Sequence, residues 1–226
     1  MGARRAFGIP AVVLGGSFVG FGALVQQSGL TILHGLFSTA TGWALPGQVA
    51  LVELYAVGAS IFVITAAVAL ANARLLPMAV TLMPLIRAPG VPRWRYYLAA
   101  HLIAVTGWAA AMRDCPSLPT DQRLPYFTGY AVVLWLVTLL CTAVGFAVSD
   151  AVPPYITLGL VFINPIYFML VVAADVRGRS RVLAALLGAV LGPLLYLATP
   201  DWSLLLAGVG AGTIAFAVGR RGQSRV

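Results

Sequence analysis

The chain contains no lysine, a single glutamate, two histidines and two cysteines, and only 9% of its 226 residues are charged. Each scarcity excludes something. Soluble domains run near 25% charged, so this chain is not built to face water on all sides. Cys115 lies in a polar connection and Cys141 inside an apolar run, settings too unlike to argue for a bridge or a redox pair. His34 and His101 share no ligand spacing with any carboxylate, so no metal site and no cofactor is indicated.

Apolar residues are what the chain has in quantity, at 61% of the sequence with a mean hydropathy of +0.96. This composition predicts an all-α, polytopic integral membrane protein, read as one transmembrane domain over 1–226. At ~20 residues per span the length holds about six to nine membrane segments and leaves no room for a soluble catalytic domain. The net charge of +8 is carried entirely by arginine. Arg4/Arg5, Arg87/Arg93/Arg95, Arg177/Arg179/Arg181 and Arg220/Arg221/Arg225 each flank an apolar stretch. Such clusters mark cytoplasmic loops rather than a nucleic-acid surface. The apolar run after Met1–Phe7 continues past Leu24 without a small-residue cleavage site, which reads as a retained first span.

Long apolar runs occupy 7–27, 47–71, 96–112, 127–148, 152–174, 182–198 and 202–219, with shorter runs at 30–45 and 75–86. The run 75–86 covers only ~18 Å, a half-span. Two cytoplasmic clusters must be joined by an even number of crossings, yet three runs lie between Arg93 and Arg179. One of them must enter and return. The run 152–174, with Pro153-Pro154 and Asn164-Pro165, is the first suspect. Pro46-Gly47 interrupts the chain in the same way before 47–71. Paired interruptions are the sequence pointer to a transporter binding site. The minimal topology is about six full crossings plus broken or re-entrant helices, with both termini cytoplasmic and 113–126 outside.

Few polar residues sit within these runs. Glu53 lies early in 47–71, where it reads either as a proton or cation site or as an interfacial carboxylate. Arg74 either clamps a carboxylate, with Asn72 beside it, or snorkels from the end of a ~40 Å helix to the headgroups. Gln48 and Asn164, each at an interruption, suit an amino or carboxylate group or serve as helix-end residues. Ser38, Thr39 and Thr41 line 30–45 as weak ligands or as helix-to-helix bonds. Gly16-x-x-x-Gly20, Gly188-x-x-x-Gly192 and Gly208-x-x-x-Gly212 permit close helix contact, internal or with a partner. An intramembrane serine protease pairing Ser60 with His101 is a further reading, weakened because no flexible glycine lies beyond Ser60.

From Thr41 to Ile86 the sequence resembles the AzlC family, the large subunit of branched-chain amino acid exporters. The places that carry the likeness read Gly47-Gln48, Gly58-Ala59-Ser60 and Asn72-Ala73-Arg74-Leu75. Ile9-Pro10, Gly20-Phe21-Gly22, Leu158-Gly159, Phe162-x-x-Pro165-x-x-Phe168 and Leu206-Ala207-Gly208 extend it. Leu75 replaces the family's histidine, and the family's middle-span acid is absent from 96–112; Glu53, in 47–71, is the candidate to stand in for it. The resemblance implies a bacterial inner-membrane permease, not an enzyme, that exports branched-chain or other hydrophobic amino acids with a small hydrophobic AzlD-like companion. Gln48, Asn72, Arg74, Asn164 and Ser38 are then substrate-binding candidates and Glu53 the coupling-ion candidate. A non-transporting scaffold or assembly subunit is the alternative.

Overall fold

A computed structural model describes residues 2–151, 153–175, 179–198 and 203–223. The regular structure is helical, with no strand among the described residues. The chain forms two compact units, Met1–Pro165 and Ile166–Val226. The first holds α1 (Gly2–Ala6), α2 (Ile9–Gln27), α3 (Ile32–Gly42), α4 (Leu45–Ala56), α5 (Ile61–Asn72), α6 (Leu75–Ile86), α7 (Arg93–His101), α8 (Val105–Asp114) and α9 (Thr120–Val148). Helix α10 (Pro154–Asp175) runs on into the second unit, where α11 (Arg179–Ala198) and α12 (Ser203–Gln223) pack on each other.

Two described helices are long and apolar enough to cross a membrane, α2 and α9 with its following turn, and α5 with α6, bent by 42° at their junction, adds a third if the pair is counted as one broken span. Shorter apolar helices cover Pro154–Ile163, Val182–Ala198 and Leu206–Val218. The two long spans are held together by small residues. A Cβ on Gly22 would strike the Thr142 carbonyl, and one on Gly145 the Val19 carbonyl, so each backbone lies in the gap left by the other's missing side chain. Lipid is as apolar as leucine, so such close packing, and not hydrophobic expulsion, joins helices in a bilayer. Phe18, Phe21, Phe127 and Leu134 are buried around this seam.

The run 47–71 is not one span. Helix α4 stops at a Schellman turn in which Gly58 takes φ +72 and the Ala59 amide reaches back to the Leu54 carbonyl at 2.9 Å. A left-handed residue there favours glycine. Ser60 then caps α5, accepting from the Val63 amide, and α5 returns alongside α4. Upstream, α3 and α4 are separated by Trp43 and an extended Ala44. Pro46 tolerates the first turn of α4, whereas a continuous helix would drive its ring into the Gly42 carbonyl. The interruption expected at 46–47 is therefore present. The half-span 75–86 coincides with α6.

The run 96–112 is likewise divided, at 102–104, into α7 and α8. Contacts along α9 show where these pieces lead. Near its start, Tyr126 and Asp114 meet Arg5 of the N-terminal segment, and Arg123 donates to the Leu85 carbonyl at the end of α6 at 3.3 Å. Trp135 lies midway, and Asp150 beyond the other end accepts from Gln26 at 2.9 Å. The end of α6 and the end of α8 thus lie at one face, while His101 reaches the depth of Trp135, since both donate to the Ala40 carbonyl. Helices α7 and α8 enter and return to the face they came from. By the same ruler α3 starts at the Asp150 face, where α2 ends beside Asp150, and α4 packs back against α3 and α2.

Two expectations fail on this geometry. The run that enters and returns between Arg93 and Arg179 is 96–112, while α10 carries Pro165 inside one continuous helix, so no break forms at Asn164-Pro165. The connection 113–126 cannot lie opposite the N-terminal arginines, because Arg5 and Asp114 form an ion pair at 2.9 Å. In the second unit, Gly188, Gly192, Gly208 and Gly212 line a groove of ≈ 790 Å³. A Cβ on any of these four would meet open space, so their spacing does not serve contact between α11 and α12.

Candidate functional site

The corner between α3 and α4 holds a connected group of buried polar side chains. Gln48, 3% exposed, donates through Nε2 to Thr39 Oγ1 at 2.9 Å and to Ser38 Oγ at 3.2 Å. The protons of these hydroxyls are committed elsewhere. Ser38 donates to the Gly35 carbonyl, and Thr142 donates to the Thr138 carbonyl at 2.8 Å, so Thr39, 3.3 Å from Thr142, must donate to it. Every proton in this relay runs away from Gln48, which fixes the orientation of its amide. The carbonyl Oε1 is left buried with no partner.

Asn72 lies against the same turn of α4. A Cβ on Gly47 would come within 2.6 Å of Asn72 Oδ1, which is itself buried without a partner. Two acceptors of carbonyl type therefore flank the first turn of α4. Arg74 follows two residues later, exposed, at the bend between α5 and α6. Measured along the helices it is ~20 Å from Ile61 and ~18 Å from Ile86. Because α4 turns back at Gly58, the ~40 Å rod that would carry Arg74 to the headgroups does not exist. The described ion pairs are Arg5–Asp114 and Arg113–Asp114, and neither includes Arg74.

The remaining candidates lie apart. Glu53 is exposed on α4, one turn before its end, and is no part of the Gln48 relay. The side chain of Asn164 lies outside the described residues. Ser60 is a helix cap and His101 holds the Ala40 carbonyl at 2.8 Å, so the structure does not assemble a serine–histidine pair. Sequence reasoning missed the roles of His101 and Trp135, which satisfy a carbonyl freed where α3 ends. It also missed Thr106, 5% exposed in the first turn of α8, whose hydroxyl has no partner. At the other end of α8, Asp114 is buried between Arg113, Tyr126 and Arg5. The Arg113 hydrogen bond, ahead of those from Tyr126 and Arg5, holds its carboxyl well below the usual carboxylate range despite burial.

A family model for the AzlC protein matches residues 11–152, a stretch that runs from within α2 through α9 and takes in every part of the Gln48–Asn72–Arg74 cluster. The chain belongs to the AzlC family. No curated protein and no solved structure matches it. Membership makes this a membrane protein of a transport-related family, in keeping with its apolar helices. The later motifs, from Leu158 to Phe168 and from Leu206 to Gly208, fall outside the matched stretch.

Proposed function

We propose that this AzlC-family protein exports branched-chain or other hydrophobic amino acids across the bacterial inner membrane by secondary transport. Arg74 at mid-depth carries the reading. An arginine there costs roughly 2.5–3.5 kcal/mol on insertion scales and is retained where it meets a charge. A carboxylate answers it through two parallel N–H···O bonds. The free Gln48 and Asn72 carbonyls accept from an ammonium group, and Ser38 with Thr39 holds the Gln48 amide in place. Glycines and aliphatic side chains around the α3–α4 corner suit a branched apolar side chain. Glu53 remains the coupling-ion candidate, and Asn164 a further ligand.

Orientation follows from charge. Arg4, Arg5, Arg87, Arg93, Arg95, Arg113 and Arg123 all belong to the face where α6 and α8 end, while the connections at 28–31, 57–60 and 149–151 hold none. That imbalance supports a cytoplasmic arginine face, with the N-terminus on it, and the C-terminus is proposed to share it. A small hydrophobic AzlD-like subunit is the proposed companion, and the open glycine groove on α11 and α12 offers a helix close approach. The same groove favours the second reading, a non-transporting assembly subunit, which requires that purified protein bind no amino acid. The deciding experiment is leucine export from loaded cells. Gln48→Ala and Arg74→Ala are expected to abolish it at unchanged protein level, and export at the wild-type rate by both would refute the site.

A further inference from the structure

The two hairpins that enter from opposite faces share a backbone plan. Gly29 (φ +75) and Gly90 (φ +76) each stand two residues before an extended cap, Thr31 or Pro92. Each first arm, α3 or α7, ends in a short break. Ala44 and Ala104 are both extended, and each accepts the first amide bond of the second arm, from Gln48 at 3.1 Å and from Trp108 at 2.8 Å. Gly47 and Gly107 precede those donors, which sets Thr106 at the station of Pro46. The tips are joined, since His101 at the end of α7 donates to the Ala40 carbonyl near the end of α3. Inverted repeats of this kind place their ligand sites between the broken elements.

Thr106 differs from the threonines whose hydroxyls are satisfied within these helices. Thr41, Thr81, Thr128 and Thr142 each donate to a carbonyl one turn back. Thr106 makes no such bond, although it is 5% exposed. A buried hydroxyl without a partner costs stability and is retained where something else supplies the bond. The orphaned Gln48 carbonyl stands in the matching turn of the other hairpin.

We infer that the substrate site has a second half on the tip of the α7–α8 hairpin, in which the Thr106 hydroxyl bonds the amino acid's charged backbone group and His101 positions this tip against the first. The inference rests on the transport reading. It is tested by uptake of radiolabelled leucine into inside-out vesicles carrying the full chain, with thermal unfolding of the same variants. Thr106→Val is expected to raise KM about tenfold, the worth of one hydrogen bond to a charged group, with kcat within about twofold. Its Tm is expected to hold or rise, because an unpaired hydroxyl has been removed. Thr106→Ser keeps the hydroxyl and is expected to keep the wild-type KM. A wild-type KM in Thr106→Val, alongside loss of uptake in Arg74→Leu, would overturn the second half-site and leave the proposed function standing. A fall in Tm in Thr106→Val would also overturn it, by revealing a partner within the fold. Wild-type vesicles that take up no leucine would overturn the transport reading itself, and this inference with it.

Discussion

Replacing Arg74 separates two opposed effects whose sizes follow from its position. The residue sits at the bend between α5 and α6, and in the proposed site, with the pair as one span, it lies ~18–20 Å from either end, farther than its side chain can bridge to water. Arg74→Leu removes a charge that costs roughly 2.5–3.5 kcal/mol at that depth, so the empty protein is expected to be no less stable than wild type. Substrate binding is expected to weaken by about 2–3 kcal/mol, near 30- to 150-fold in affinity, from loss of a charge-assisted pair. Arg74→Lys keeps the charge without the planar fork and is expected to lose about tenfold. Leucine efflux from proteoliposomes, measured beside thermal unfolding in detergent, reads both quantities on one sample. Two results refute the reasoning. Efflux at the wild-type rate in Arg74→Leu removes the carboxylate contact, and a large fall in Tm shows that Arg74 is paired inside the fold.

Three further outcomes bear on the framework around the site. Gly145→Ala places a methyl on the Val19 carbonyl and is expected to cost about 1–3 kcal/mol in detergent unfolding, whereas Gly159→Ala, where a Cβ meets nothing within 4 Å, is expected to be neutral. Asp114→Asn removes the charge that binds Arg5 and Arg113 and is expected to cost about 1–3 kcal/mol at pH 7. The folded carboxyl titrates below its ordinary value of 3.8, so its contribution is complete above that pH and is lost as pH falls below it; Tm of wild type and Asp114→Asn should converge in strong acid, and a constant difference down to the lowest pH tested would contradict this. With Cys115 and Cys141 replaced by alanine, an impermeant thiol reagent added outside intact cells is expected to label Ala151→Cys and spare Ser117→Cys. The reverse pattern would invert the membrane orientation.

Much of the architecture is legible in the residues, and what is hidden has a physical reason. Arginine clusters and apolar runs announce a helical membrane protein, and Pro46 announces the break before α4, because a ring without an N–H cannot continue α3. The stop at Gly58 is also written in the sequence: glycine two residues before serine is a helix end followed by a cap, yet in an apolar run of 25 residues the hydropathy outweighs that signal. The break at 102–104 carries neither proline nor glycine, and the side-chain bond that fixes its first arm, from His101, goes to Ala40, 61 positions away. No local pattern reveals a turn held by so distant a partner. Pro165 errs in the opposite sense, since α10 continues through it. Gln48, Ser38 and Asn72 were found because polar residues are scarce in apolar runs. Which amide atom of Gln48 is free depended on the threonine relay, which only coordinates provide.

The two hairpins match in backbone but not in charge, and the difference bears on how a zwitterion reaches them. Beside α7 a cleft of ≈ 730 Å³ is lined by Arg87, Arg93, Tyr96 and Tyr97. The entrance to α3, from Ser28 to Ile32, carries no arginine. A carboxylate on the arginine face is therefore drawn toward the mouth of the α7–α8 hairpin, where low-dielectric walls strengthen the field, while the opposite mouth offers no such attraction. Electrostatic focusing of this kind raises the loading rate from one side and weakens with ionic strength; it cannot supply net work, because a static field adds nothing around a closed cycle. In the proposed exporter the arginines would speed loading from the cytoplasm, and coupling to an ion gradient would set direction. Raised salt should accordingly slow uptake from the arginine face more than uptake from the other, without changing the final accumulation.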